Sequence, residues 1–304
     1  MRAQLIINSE ARGVTPVLKR VIRAALEARL KLEVEETRAR DAAIEVARAG
    51  AEAGGELIIA FGGDGLVNEV INGIVGSEAT LAIIPGGTMN VLARNQGIPR
   101  NPLEATDHLL SIIGEVDPRL LPLGQANHRY FGFACGCGFD AEVAARVESH
   151  KPAKRKFGEP YFYGAALMTL LRLHLFQGPY LHCEGSFGTR DVAMVISLTS
   201  SGPYAYLAGR PVYLAREPAF QGAPEAEGGL SVFFLRRMGL PRLPLHVAGT
   251  LTGHFGRDAT ALTRVDEFTV SCGRPIPYHV DGEPLEPADR VQVRAAPETL
   301  RLLA

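Results

Sequence analysis

The sequence has no tryptophan, only four cysteines among 304 residues, and almost no net charge, −1 from 32 basic and 33 acidic side chains. Each shortage removes a class of function. Cys135, Cys137, Cys183 and Cys272 form no spaced pair of pairs, which argues against a zinc ribbon. Cys135-Gly136-Cys137 lies in an apolar, strand-like segment, where free thiols pack as small hydrophobes. A near-neutral chain exerts no whole-molecule attraction on nucleic acid, so no nucleic-acid partner is expected. No run reaches the roughly 18 uncharged residues of a spanning helix, and the early apolar run Leu5-Ile6-Ile7 is too short for a secretory signal. A cytoplasmic protein is expected. The histidines are scattered, none in HExxH spacing, and there is neither an internal repeat nor a low-complexity linker.

What the sequence does have is glycine in telling places. The buried-looking run Leu57-Ile58-Ile59-Ala60-Phe61 ends in Gly62-Gly63-Asp64-Gly65, three glycines around one carboxylate. Glycines allow positive φ and remove every Cβ, so backbone N–H groups can close on a bulky anion. Asp64 beside such an anion makes chemical sense when Mg²⁺ or a transferable proton lies between them. Val67, Val70, Ile71 and Ile74 then share a helical stripe, so the turn opens a helix N-terminus that favours phosphate. A second copy of the device follows: Leu81-Ala82-Ile83-Ile84, then Pro85-Gly86-Gly87-Thr88, then a helix start at Met89-Asn90-Val91. Two such turns predict adjacent parallel strands whose carboxyl ends share a crevice.

Short apolar runs alternate with helical periodicity from residue 1 to about 120: Leu5–Ile7, a helix over Pro16–Leu30, Leu32–Val34, a helix over Asp41–Ala53, the two glycine turns, and a helix ending near Ile113. This alternation predicts a parallel α/β domain over 1–120, with 295–304 returning to complete it. From 121 to 294 short apolar or aromatic runs broken by Gly, Pro and Asp predict a mostly-β sandwich, with helices only at Tyr161–Phe176 and Leu243–Leu251. Near its end lies Tyr278-His279-Val280-Asp281-Gly282-Glu283. An Asp-Gly-Glu turn is ordinarily a type I′ surface bend, but beside a phosphate site it is a candidate catalytic pair. Asp140 reads as a strand end or a ligand, and Glu69 as a helix-surface cap or part of a phosphate network.

Taken in order, Ile7-Asn8-Ser9-Glu10-Ala11-Arg12-Gly13, Gly62-Gly63-Asp64-Gly65 with Asn68-Glu69, Gly87-Thr88-Met89-Asn90 with Leu92-Ala93-Arg94, Gly136-Cys137-Gly138-Phe139-Asp140-Ala141 and Asp281-Gly282-Glu283 resemble the diacylglycerol kinase-like bacterial soluble lipid kinases. These are relatives of sphingosine and ceramide kinases and, more distantly, of NAD kinases. The resemblance implies an α/β nucleotide-binding domain, a β-sandwich lipid-substrate domain, and ATP and Mg²⁺ as cofactors. By position it places Asn8, Arg12, Gly13, Thr37, Gly62, Gly63, Gly65, Asn68, Gly87 and Thr88 at the nucleotide. It places Asp64 at Mg²⁺, directly or through water, and makes Asp281 or Glu283 the base for the acceptor hydroxyl, so that Asp64, Asp281 and Glu283 form the catalytic set. Thr37 also falls in the charged run Glu35–Arg40, which by itself reads as a solvated loop.

Against the family pattern, Leu66 stands where threonine is usual, Ser9 where proline is common and Met89 where glycine is common. In Ala226-Glu227-Gly228-Gly229-Leu230-Ser231, neutral Ala226 and Ser231 replace acidic residues of a second Mg²⁺ site, which is therefore not expected. Lys151, Lys154, Arg155 and Lys156 precede an apolar helix and suit either peripheral contact with the anionic inner membrane face or a solvated loop. The acceptor stays open among diacylglycerol, ceramide, sphingoid base and phosphatidylglycerol-like lipids, because an apolar tunnel discriminates weakly. An NAD kinase and a catalytically silent nucleotide- or lipid-binding regulator of the same fold are the alternatives, and oligomeric state is open, a homodimer included.

Overall fold

Leu57–Gly62 and Thr80–Pro85 are buried along their whole lengths, as strands covered on both faces of a parallel sheet must be. The computed structural model describes residues 1–150, 159–173, 178–200, 202–207, 210–214, 229–239, 248–249 and 256–304. It divides into two units, residues 1–122 with 297–304, and residues 123–296.

The first unit runs β1 (Arg2–Asn8), α1 (Pro16–Glu27), β2 (Lys31–Thr37), α2 (Ala42–Glu52), β3 (Leu57–Gly62), α3 (Asp64–Ile74), β4 (Thr80–Pro85), α4 (Val91–Asn95) and α5 (Pro102–Ile112). Its strands are parallel in the order β2-β1-β3-β4. Arg301, Leu302 and Leu303, the end of the terminal strand Ala288–Leu303, pair parallel with Thr80, Leu81 and Ala82 of β4. Thr15 caps α1 by accepting from the Leu18 N–H at 3.2 Å, and Pro16 follows at the first helical position. Exposed Lys31, Glu33 and Glu35 mark β2 as a charged edge, which resists pairing with another chain.

The helix that the first glycine turn opens begins at Asp64 itself. One expectation shifts. Thr37 is not in a solvated loop: β2 continues through it, opposite Asn8, and its side chain is buried. Periodicity misses this because the alternation of an edge strand among acidic residues looks the same as a polar loop.

Two sets of antiparallel strands build the core of the second unit, beside a separate two-stranded pairing of Ala205–Leu207 with Arg210–Val212. One has the spatial order Ala259–Val265, Leu230–Leu235, Met194–Leu198, Ala134–Gly138, Tyr278–Val280, Glu283–Pro284. In the other, Glu267–Ile276 lies between residues 288–294 of the terminal strand and Leu181–Gly185, and Gly188–Val192 follows. Val195, Val232, Phe234 and Val280 of the first sheet share one buried cluster with Cys183, Phe268, Val270 and Val291 of the second. That shared core makes the unit a sandwich. It also carries α6 (Phe139–Glu148) and α7 (Glu159–Leu173), joined by an Arg146 Nε to Thr169 Oγ1 hydrogen bond of 3.0 Å. Lys151, Lys154, Arg155, Lys156 and Ala226 lie outside the described residues, as do the end of the helix expected at Tyr161–Phe176 and most of that at Leu243–Leu251. Among the described residues no helix is long and apolar enough to cross a membrane.

The terminal strand gives the first unit a testable dependence on the end of the chain. Leu302 is fully buried beside β4, so Leu302→Ala is expected to cost about 2–5 kcal/mol. Urea unfolding would show it as a lower midpoint; an unchanged midpoint would mean that this strand end contributes nothing to the sheet.

Candidate active site

Strand order locates the site in the first unit. β1 has β2 on one side and β3 on the other, so the loops leaving β1 and β3 diverge at a topological switch point, where open α/β sheets bind ligands. The loop after β4 joins them. The Gly13 N–H donates to the Gly86 carbonyl at 2.8 Å, and the Gly86 N–H to the Gly62 carbonyl at 2.6 Å. A Cβ on Gly87 would stand 2.5 Å from the Gly63 Cα, and one on Gly13 would stand 2.9 Å from the Gly86 oxygen. Glycine is therefore demanded by backbone meeting backbone. Positive φ, the other freedom expected of these residues, is not what they use: Gly63 has φ −94°, and the positive-φ glycines of the described chain lie elsewhere.

Asn90, itself left-handed at φ 48°, holds the second loop by accepting from the Gly87 N–H at 2.9 Å and donating to the Gly87 carbonyl at 3.0 Å. Gly65 falls in the first turn of α3, and Thr88 is half-buried beside Gly87. Asn8 accepts from the Glu10 N–H at 2.9 Å, which shapes the first loop, and Arg12 is exposed on it. Asn68 is fully buried and accepts from Asn72 Nδ2, one turn along α3, at 3.3 Å. Glu69 accepts from the Asp41 N–H and the Ala43 N–H, both at 3.0 Å, and so caps α2. That cap accounts for a carboxylate the sequence left open.

One cluster was not foreseen. Lys19 Nζ reaches both Glu36 oxygens at 2.8 Å, and Ser9 Oγ donates to the same carboxylate. The Lys19 hydrogen bond, aided by Ser9, holds the Glu36 carboxyl below its ordinary range. Three separate elements meet here, so nothing local in the sequence marks it.

Asp64 opens α3 half-buried, and its Oδ1 accepts from the Leu92 N–H at 3.4 Å. Among the described residues no three His, Cys, Asp or Glu side chains gather as a protein-only metal cage. Mg²⁺ does not need one, since it commonly takes one or two carboxylates and completes its octahedron with phosphate oxygens and water. Asp64, a hard oxygen donor at the glycine edge, fits that role.

In the second unit the Asp-Gly-Glu turn joins Tyr278–Val280 to Glu283–Pro284 with φ 49° at Asp281 and 79° at Gly282, the positive pair of a type I′ hairpin. This hairpin is not merely a surface bend. Asp281 is 3% exposed, and its carboxylate accepts from the N–H groups of Gly132 (2.8 Å), Phe133 (2.9 Å) and Ala134 (3.0 Å). Its own N–H donates to the Ala134 carbonyl at 2.7 Å. To take a proton, these oxygens must give up backbone donors. Glu283, two residues on, is only partly buried.

The sequence also gave no sign that Asp140 and His279, far apart in the chain, meet at Gly136. Asp140 Oδ2 accepts from the Tyr204 hydroxyl at 2.6 Å and is hydrogen-bonded to His279 Nε2. Asp140 is not a strand end but lies in the first turn of α6.

Comparison with known proteins gives the family and the fold. The diacylglycerol kinase catalytic domain family matches residues 2–118. A Pseudomonas putida protein named "Probable lipid kinase YegS-like" is 30% identical over 263 residues, 83% of this chain and 79% of that one. The chain belongs to the diacylglycerol kinase-like family of bacterial lipid kinases. A Bacillus subtilis diacylglycerol kinase is 38% identical over 122 residues, and the match spans 38% of that protein's length. The crystal structure of a Bacillus anthracis diacylglycerol kinase shares the fold, with a TM-score of 0.70 at 23% identity over 99% of this chain and 94% of that one.

Within this lipid kinase family member, Asp281 has a structural duty that can be separated from chemistry. Asp281→Ala strands three buried N–H donors, each worth about 1–3 kcal/mol when unsatisfied, so a loss of at least about 3 kcal/mol is expected. Thermal unfolding checks it; a wild-type melting temperature would show that the three donors find other acceptors at no cost.

Proposed function

We propose that the protein is an ATP- and Mg²⁺-dependent lipid kinase that transfers the γ-phosphoryl group to a hydroxyl of a diacylglycerol, ceramide or sphingoid-like acceptor. The observation that carries this reading is the closure of three glycine loops on one another at the β1/β3 switch point, with Asp64 at the start of α3. Such an edge offers backbone N–H groups and a helix N-terminus to phosphate, and one carboxylate to Mg²⁺. When bound, Mg²⁺ would neutralise charge on the phosphates. Phosphoryl transfer needs little covalent chemistry from a protein, and positioning with electrostatic stabilisation does most of the work.

A lipid alcohol is a poor nucleophile until its proton is taken late in transfer. Of the two carboxylates in the turn, we assign that role to Glu283, because both Asp281 oxygens already accept backbone hydrogen bonds. Asp281 then acts as the anchor that holds the turn.

The test is transfer of labelled γ-phosphate from ATP with Mg²⁺ to dispersed diacylglycerol, ceramide, sphingosine and phosphatidylglycerol, with NAD as a parallel acceptor. Label in a lipid supports the reading and names the substrate class. Label in NAD alone, or ATP binding with no transfer, overturns it in favour of an NAD kinase or a silent binder. Asp64→Asn and Glu283→Gln are each expected to lower kcat by about 10²-fold or more with the fold intact. A folded variant retaining more than about a tenth of wild-type kcat would remove that residue from its role.

A further inference from the structure

We propose that Tyr204, Asp140 and His279 form a positioning relay that holds the Asp281–Glu283 turn and so aims the Glu283 carboxylate. The inference rests on the lipid kinase reading and adds three residues to it. His279 is 2% exposed, so it meets no substrate; its effect must pass through its neighbours. Its ring has a different partner at each nitrogen. The Gly282 N–H donates to Nδ1 at 3.2 Å, so Nδ1 is the acceptor and Nε2 carries the proton toward Asp140 Oδ2. That same oxygen accepts from the Tyr204 hydroxyl at 2.6 Å. Burial, reinforced by the Asp140 charge, raises the Tyr204 hydroxyl above its ordinary range and keeps it a donor.

The result is a directed chain: Tyr204 and His279 both donate to Asp140, and His279 accepts from the amide immediately before Glu283. Gly136, paired with His279 across the sheet, makes room for it, since a Cβ there would stand 2.3 Å from Asp140 Oδ2 and 2.4 Å from His279 Nε2. Asp281 ties the turn to residues 132–134 through its carboxylate, and His279 ties it through Gly282. The hairpin pairing of Val280 with Glu283 and the Asp281 N–H to Ala134 carbonyl bond hold the ends of the turn, and the His279 tie adds the hold on its tip at Gly282, where Asp281 and Gly282 both have positive φ.

The imidazole's two duties can be separated. An asparagine oxygen takes the place of Nδ1 and keeps the Gly282 acceptor, whereas a glutamine amide takes the place of Nε2 and keeps only the Asp140 contact. His279→Gln is therefore expected to lower kcat by about 10- to 100-fold, the scale of a small misplacement in an active site, with the KM for ATP within about twofold of wild type. His279→Asn is expected to retain most of that lost kcat. Exchange of the Gly282 amide, followed by NMR, should be at least about tenfold faster in His279→Gln and near wild type in His279→Asn.

Equal kcat in the two variants, or an unchanged Gly282 exchange rate in His279→Gln, would overturn the relay. Should both variants fail to fold, Tyr204→Phe reads the relay from its far end: a drop in kcat of about three- to tenfold supports it, and an unchanged kcat overturns it. The exchange measurement needs no substrate. If the wild-type protein phosphorylates no lipid, the kinase reading fails, and the positioning of the turn is judged on Gly282 exchange alone.

Discussion

The site depends on how closely three backbones approach one another. The loops after β1, β3 and β4 meet at Gly13, Gly62-Gly63 and Gly86-Gly87, where an added Cβ would stand 2.5 Å from a facing backbone atom at Gly87, 2.9 Å at Gly13 and 3.2 Å at Gly63 and Gly86. Parallel strands bring the loops to the same edge, but only the missing side chains allow them to interlock through Gly13 to Gly86 and Gly86 to Gly62 hydrogen bonds. The edge that results is mostly main chain. A main-chain surface suits phosphate because its donors are fixed in place and carry no rotamer entropy to lose on binding.

Two carboxylates near glycine turns have opposite duties, and their surroundings decide which. Asp281 is a buried charge, expensive to hold away from water, and three backbone donors together with a fixed left-handed turn make it tolerable. Asp64 is half-buried at a helix N-terminus, where the dipole stabilises its charge. The first arrangement makes an anchor; the second sets a hard oxygen donor at the glycine edge, a type of group that suits Mg²⁺.

The sequence made the parallel sheet legible because β3 and β4 are continuous apolar runs closed by glycine turns, too short for a buried helix and without the alternation of a half-exposed strand. The glycine turns and Asp64 followed from the same runs. What it could not disclose depends on chain segments far apart in number. Asp281 looks like any hairpin Asp until residues 132–134 are seen to donate to it, and His279 looks like a strand residue until Asp140 is found across Gly136. Thr37 was obscured for a local reason: on an edge strand, charges on one face mimic a solvated loop.

The departures from the family pattern also acquire a physical sense. Leu66 is buried, and its side chain fills the space beside Gly62, so an apolar residue there firms the turn where a hydroxyl is usual. Ser9, in place of a common proline, keeps a hydroxyl that donates to Glu36, and Glu36 in turn occupies the Lys19 ammonium. The charge of Lys19 is thus largely spent within the protein. A triphosphate at this edge would meet main-chain donors, the α3 dipole and the exposed Arg12, while Asp64 adds a further negative charge. Partial charges of about half a unit at a helix end do not balance a triphosphate beside a carboxylate. A divalent cation held by Asp64 would resolve that conflict, which is why the electrostatics of this edge favour a Mg²⁺-dependent reaction over metal-free binding of the nucleotide.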